Sequence, residues 1–405
     1  MNKLKSFFLS KEWKLLWSFY SFDFLFSATA FYMPIYVLFF QNQGISIAEI
    51  GLIFIAYRVS KIIFEIPTGV IADVYGRKFS TILGSLLTYI IWVLISFSSN
   101  FESILILYIV MGFSFTFISG AQDAWIYDWL KYNRSKKLYT RYVSRSTMIN
   151  SLGYIISPLI GGFLAKIISL NYILLITGIF GIIFSLLWIP IKNENFYRKK
   201  IIKKSDFWKT FGEALTYIKK TPLFLYLIIG ATSSSILYSI WELIEQPFLF
   251  SIGSSYELIG IIIAIMASLG FISPIISMKL ENKFSNIDKI LFFDFISFSL
   301  FISIYFLRET SFYIIILVLL LAWLFHNIPG PFFRTELNKL MPSKVRATVL
   351  SFNGILYSLA FIIGLSLSSL LSNLYGIAAP LLILIPNSIY GIFFFFLYRL
   401  KSKSR

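Results

Sequence analysis

The sequence predicts an all-α integral membrane protein with twelve transmembrane helices in two pseudo-symmetric six-helix bundles. Three observations carry this: an apolar composition, the regular recurrence of long apolar runs, and a one-sided distribution of basic residues. Of 405 residues, 58% are hydrophobic, 14% are charged and the mean hydropathy is +0.79. Soluble domains do not have this composition. A span needs roughly 20 apolar residues, and such runs fall at 13–40, 47–72, 79–99, 103–128, 144–167 and 171–191. A second set falls at 222–249, 256–279, 288–306, 311–332, 347–372 and 377–398. The expected organisation is an N-terminal half over 1–191, a basic linker over 192–220 and a C-terminal half over 221–405. The linker contains FWKTFGEALTYIKK, whose spacing suits an amphipathic helix on the membrane surface.

Basic residues give the orientation. With the N-terminus inside, all but Arg58, Lys61, Lys166 and Arg308 of the 36 Lys and Arg residues fall on the inner side. The net charge of +17 therefore reports topology rather than affinity for nucleic acid. Both termini are expected to be cytoplasmic, in a multi-pass protein of the cell (inner) membrane. The N-terminal segment mimics a secretory signal, with Ala28-Thr29-Ala30 as a cleavage-like site. Its apolar run continues through Phe40 and carries Asp23, so it reads as an uncleaved first span.

Other chemistry is excluded by what the chain lacks. With no cysteine and one histidine, neither a disulfide framework nor a thiolate or histidine-rich metal site can form. No phosphate-binding Gly-x-x-x-x-Gly-Lys-Ser/Thr loop occurs. No cofactor, no metal, no enzyme activity and no ATP are expected; the expected partners are a small-molecule substrate, protons and the lipid bilayer.

The halves echo each other. Arg145-Ser-Thr-Met-Ile-Asn-Ser-Leu-Gly153 opens span 5, and Arg346-Ala-Thr-Val-Leu-Ser-Phe-Asn-Gly354 opens span 11 with the same Arg, Thr and Gly spacing. Pro34 in span 1 corresponds to Pro247 in span 7, and Glu281 stands where Asp73 does in a degenerate repeat of the loop after span 2. A duplicated six-helix unit is a recurrent architecture of membrane transporters.

Ionisable residues within spans are costly and mark cavities or paths. Asp23 shares a helical stripe with Ser27, Ala30, Phe31 and Pro34, which suits a cavity wall or a packing ion pair. Arg58, Lys61 and Glu65 share one face of span 2. Lys61 and Glu65 can pair at i,i+4, leaving Arg58 to seek Asp23 or a substrate carboxylate. Glu242 and Glu245 lie at i,i+3 on span 7; two acids together suit proton exchange, because like charges in a poorly solvated site are costly to ionise together. Asp123, His326, Asn327 and Asp294 are further candidates. Tyr57, Tyr238, Trp241 and Trp323 can offer ring faces to a lipophilic or cationic ligand.

The loop between spans 2 and 3 reads Gly69-x-x-x-Asp73-x-x-Gly76-Arg77-Lys78. It resembles the signature loop of the major facilitator superfamily of secondary transporters, and the resemblance extends over essentially the whole chain. It implies that superfamily's fold, alternating access and a central cavity formed mainly by spans 1, 4, 7 and 10. It also implies a charge latch of Asp73 and Arg77 with Asp128, at the end of span 4, and with the start of span 11. Gly153-Tyr-Ile-Ile-Ser157-Pro158-Leu-Ile-Gly161-Gly162 is similar to the antiporter motif of drug exporters, with Ser157 in place of a glycine. Small residues there permit close helix approach and Pro158 a bend.

Ser119–Leu130 and Arg346–Ser351 resemble a bacterial, drug-resistance-like subgroup. The superfamily's span 4 arginine, whose position would fall near Ile109, is absent, and Arg58 is a candidate substitute. The implied function is proton-coupled export of a lipophilic or cationic small molecule. Asp23, Asp123 and Glu242 are then expected to couple or bind cations, with Arg58 as counter-charge. An importer of a metabolite, binding an anion through Arg58 and Lys61, is the alternative; a non-transporting receptor of the same fold is a third.

Overall fold

The computed structural model describes residues 11–189, 220–281, 283–341 and 346–403. The linker and its amphipathic helix lie outside the described residues. Among those residues the chain is helical, and nine helical stretches are long and apolar enough to cross a membrane, two of them, Phe101–Tyr132 and Phe312–Leu340, each made of two successive helices, with Leu170–Leu186 a shorter apolar helix.

The first half runs α1 (Lys11–Ala28), α2 (Tyr36–Asn42), α3 (Ile47–Tyr75), α4 (Arg77–Ser96), α5 (Phe101–Thr116), α6 (Ala121–Tyr132), α7 (Leu138–Ile167) and α8 (Leu170–Leu186). The second runs α9 (Pro222–Ser251), α10 (Tyr256–Lys279), α11 (Asn286–Leu307), α12 (Phe312–Asn327), α13 (Gly330–Leu340), α14 (Arg346–Tyr375), a 3₁₀ turn over Ala379–Ile383 and α15 (Leu384–Lys403). Starts follow local chemistry. Ser46 and Glu49 close a capping box on α3, the Ser46 backbone N–H donating to Glu49 Oε2 at 2.8 Å. Asn100 accepts from the Ser103 N–H to cap α5, and Pro222 opens α9, where its missing N–H costs nothing.

Three predicted spans are broken rather than continuous. Span 1 is interrupted between α1 and α2, around Pro34; span 4 between α5 and α6, ending at Gly120 with φ +71°; span 10 between α12 and α13, at Pro329. Proline removes a helical donor, and a positive φ is easily reached only by glycine. Interruptions of this kind are tolerated at membrane depth where the freed backbone meets protein or a cavity.

Packing divides the chain into two units. One takes in the residues through Ile45, those from Ala56 onward in the first half, and Ser255–Ser268; the other takes Ser46–Ile55, the segment through Ser254, and Leu269 onward. Thus α3 and α10 each contribute to both. The first unit's core includes Leu16, Phe19, Phe22, Trp125, Ile126 and Trp188. In the second, Phe224, Leu227, Ile290, Phe293, Phe332 and Phe395 play that part.

Close helix approach relies on a repeated device, a serine seated on a glycine. Ser27 meets Gly153, Ser60 meets Gly112, Ser233 meets Gly391, Ser239 meets Gly364 and Ser369 meets Gly51; a Cβ at any of these glycines would strike the serine side chain. Three of the hydroxyls return to their own helix, Ser27 to the Asp23 carbonyl, Ser233 to Gly230 and Ser239 to Ile236. Ser60 and Ser369 instead donate across, to the Ile109 and Ala48 carbonyls at 2.7 and 3.0 Å. The span 5 motif packs likewise: Gly161 abuts the Phe31 carbonyl and Gly162 the backbone of Tyr256 and Gly260.

Candidate functional site

The interruption of span 4 builds the site. Gly120 ends the break, and α6 starts at once, so Gln122 and Asp123 occupy its first turn. An acid there is favoured by the helix dipole. Gln122 Nε2 donates to Asp23 Oδ1 at 2.8 Å, and the Tyr142 hydroxyl, from α7, donates to Asp23 Oδ2 at 2.6 Å. Asp23 is 4% exposed. Both of its oxygens are therefore engaged by neutral donors, rather than by Arg58, and three chain segments are tied at one carboxylate.

Beside it lies a cavity of about 490 Å³. Asp23, Gln122, Asp123, Tyr142, Ser146 and Asn150 supply its polar wall, and Phe22, Phe26, Phe115 and Tyr154 its ring faces. Among the described residues its lining contains two carboxylates and no Lys or Arg. Lys61 stands next to it, its ammonium 4.3 Å from the Phe115 ring centroid. Glu65 accepts from Ser119 at 2.9 Å. The Arg58 guanidinium lies 5.8 Å from the Tyr57 ring.

The latch residues form a separate cluster. Arg77 Nη1 donates to Asp128 Oδ2 at 2.5 Å and to the Ala124 carbonyl at 3.0 Å, while Arg77 Nη2 lies 3.5 Å from Asp73 Oδ1. Gly76 has φ +105°, which an L side chain would strain, and it allows the sharp passage from α3 to α4. Lys78 donates to the Ile189 carbonyl at 2.7 Å. The Arg346 side chain, expected to complete the latch at the start of span 11, lies outside what the structure describes. Gly69 has open space around it.

In the second unit, Glu245 accepts from Trp241 Nε1 at 2.8 Å, and Glu242 lies one turn away on α9. His326 is 6% exposed and enclosed by rings.

Several participants were not anticipated. Gln122, Tyr142, Ser146 and Asn150 read as ordinary polar residues in sequence, because their role depends on α6 and α7 meeting α1. Glu12 was missed as well. It is 5% exposed, accepts from the Tyr20 hydroxyl at 2.9 Å, and is bridged by Arg145 and by Arg141, the latter at 3.2 Å. The repeated arginine that opens span 5 thus has a partner on α1. Sequence spacing gave one signal: Glu12 lies in the first turn of an apolar helix, opposite a basic loop without acids.

A model of the Major Facilitator Superfamily matches residues 19–363. The chain is 23% identical over 389 residues to the uncharacterized MFS-type transporter YxaM of Bacillus subtilis, covering 92% of this chain and 94% of that one. It is 25% identical over 215 residues to the quinolone resistance protein NorA of Staphylococcus aureus, about half of each chain (52% and 53%). Among solved structures, a bacterial homolog of the human lysosomal transporter Spinster superposes with a TM-score of 0.78 at 17% identity, covering 96% of this chain and 97% of that one. The nucleoside transporter NupG gives 0.76 at 15%, covering 96% and 99%. These likenesses establish the fold, and the family match over most of the length establishes membership: the chain belongs to the Major Facilitator Superfamily and is a multi-pass membrane transporter, not an enzyme.

Proposed function

We propose that the protein exports lipophilic or cationic small molecules in exchange for protons, by alternating access in the cell membrane with both termini cytoplasmic. The observation that supports this best is the Asp23 cavity, whose lining joins two carboxylates to five aromatic side chains and, among the described residues, holds no lysine or arginine. A cationic amine would set its charge against Asp123, which is exposed to the cavity, and its apolar body on Phe22, Phe26 and Phe115. A proton and a cation compete for the same carboxylates, and that competition couples their movements in opposite directions. The partial likeness to a quinolone resistance protein agrees with export.

Inverted membrane vesicles with an acidified lumen test the reading. They are expected to accumulate a fluorescent lipophilic cation, and Asp23→Asn and Asp123→Asn are each expected to lower the initial rate at least tenfold. Uptake that survives collapse of the pH gradient, or that follows it with the opposite sign, would favour an importer and overturn the proposal.

A further inference from the structure

A second cavity, of about 660 Å³, opens where α1 begins and α6 gives way to α7. It shares no described lining residue with the Asp23 cavity. Lys11, Lys131, Arg134, Lys136, Lys137 and Arg141 line it, and Glu12 is the single acid among its described lining residues. Six cations around one space repel one another, which is unfavourable unless an anion answers them. Glu12 does not supply that anion, because it is already bridged by Arg141 and Arg145 and accepts from the Tyr20 hydroxyl. Arg141 uses one N–H on that bridge and keeps a well-exposed side chain. A guanidinium has five N–H donors, enough to serve a second anion from the same position.

The turn between α6 and α7 gathers this charge. The Arg134 N–H donates to the Lys131 carbonyl at 3.1 Å and the Ser135 N–H to the Leu130 carbonyl at 2.8 Å, the paired bonds of a Schellman helix end. The left-handed position of that motif is usually glycine or asparagine. Here it is Arg134, with φ +51°, the one non-glycine residue of positive φ among the described residues. Glycine would hold this backbone with less strain, so the arginine is there for its side chain. At Lys137, where α7 starts, no side chain caps the helix, and the positive end of the helix dipole faces the same turn.

The surroundings point to the source of the anion. The cavity lies at the ends of apolar helices, and Asp128, one turn before the end of α6, belongs to the latch. Trp17 on α1 and Tyr132, the last residue of α6, are exposed, and such amphipathic rings gather at the membrane–water interface. The anions concentrated at that level are the phosphates of lipid head groups, which basic pockets between helix ends hold. The volume lies within the roughly 300–1,000 Å³ of small-molecule sites, which gives room for a head group rather than a bare phosphate.

We propose that this pocket binds the phosphate head group of an anionic phospholipid, at a site separate from the Asp23 cavity. The lipid phosphate bridges the start of α1, the α6–α7 turn and the first turn of α7, and it neutralises charge that the chain itself leaves in excess.

Native mass spectrometry of the purified full chain in detergent, titrated with a phosphatidylglycerol, a phosphatidylcholine or glycerol phosphate, reads the site. The first phosphatidylglycerol is expected to bind about tenfold more tightly than phosphatidylcholine, or better. A basic residue beside an anionic head group is worth about a fivefold change in affinity, so Lys136→Gln combined with Lys137→Gln should weaken that first binding about twentyfold. Lys279→Gln combined with Lys283→Gln, which removes as much charge from exposed positions of the second unit, should leave it unchanged. Arg134→Gly separates binding from folding: affinity should fall about fivefold while the melting temperature holds or rises, because glycine relieves the left-handed position. Equal affinity for the two lipids, equal loss in the two double variants, or glycerol phosphate binding as tightly as phosphatidylglycerol would each overturn the proposal.

Discussion

Asp23 and Asp294 are equally buried aspartates on apolar helices, and their surroundings differ completely. Asp23 is held by a phenol and an amide from two other segments, and a 490 Å³ cavity opens beside it. Asp294 has no such donors among the described residues. The first carboxylate organises the packing around it; the second is tolerated by it. Burial alone therefore says little about the role of an intramembrane acid, and the count of committed hydrogen bonds says more.

That contrast can be broken at several points. The largest effect is expected from Gly153→Val, which drives a side chain into Ser27, one turn from Asp23, and disturbs the α1–α7 contact that presents Tyr142 to the carboxylate. Overpacking of this kind costs about 3 kcal/mol and should appear as a large fall in the melting temperature of the purified protein. Next, Asp23→Leu and Asp294→Leu should move stability in opposite directions. The former strands the Tyr142 and Gln122 donors and is expected to cost about 2–3 kcal/mol. The latter replaces an uncommitted acid with an apolar group and is expected to be neutral or to gain about 1 kcal/mol. The same sign for both, by thermal unfolding in detergent, would erase the distinction. The smallest change is Tyr142→Phe, which removes one of the donors to Asp23 and should cost about 1 kcal/mol, read by the same thermal unfolding.

Much of the fold was legible because apolar length is a property of runs, not of contacts. The signature loop identified the family for a related reason: Gly76 needs a positive φ, and Arg77 must reach Asp128, so spacing alone carries the geometry. The site was harder to see. Asp23 and Asp123 stood out as charges within apolar spans, but Gln122 and Tyr142 acquire meaning only when the break at Gly120 aims α6 at α1. Predicting span 4 as one continuous helix hid that aim. Glu12 and Arg145 illustrate the same limit, since residues more than a hundred positions apart leave no local periodicity to read. Arg58, expected to answer Asp23, was displaced by a better fit: neutral donors can meet both oxygens without burying a second charge.

The serine-on-glycine contacts bear on how such a molecule can move at all. At Ser27–Gly153, Ser233–Gly391 and Ser239–Gly364 the hydroxyl already belongs to its own helix, so the hydroxyl itself ties nothing to the facing glycine. Ser60 and Ser369 are riveted across their seams. Mechanically, the three self-bonded serines are sliding pads within seams that are pinned elsewhere, by Tyr142 to Asp23, Ser235 to the Tyr357 carbonyl and Asn387 to the Ser233 carbonyl, whereas the two rivets hold α3 through Ser60 and through the Ala48 carbonyl. A methyl group added at any of the five glycines should then force the two helices apart, at the pads and at the rivets alike.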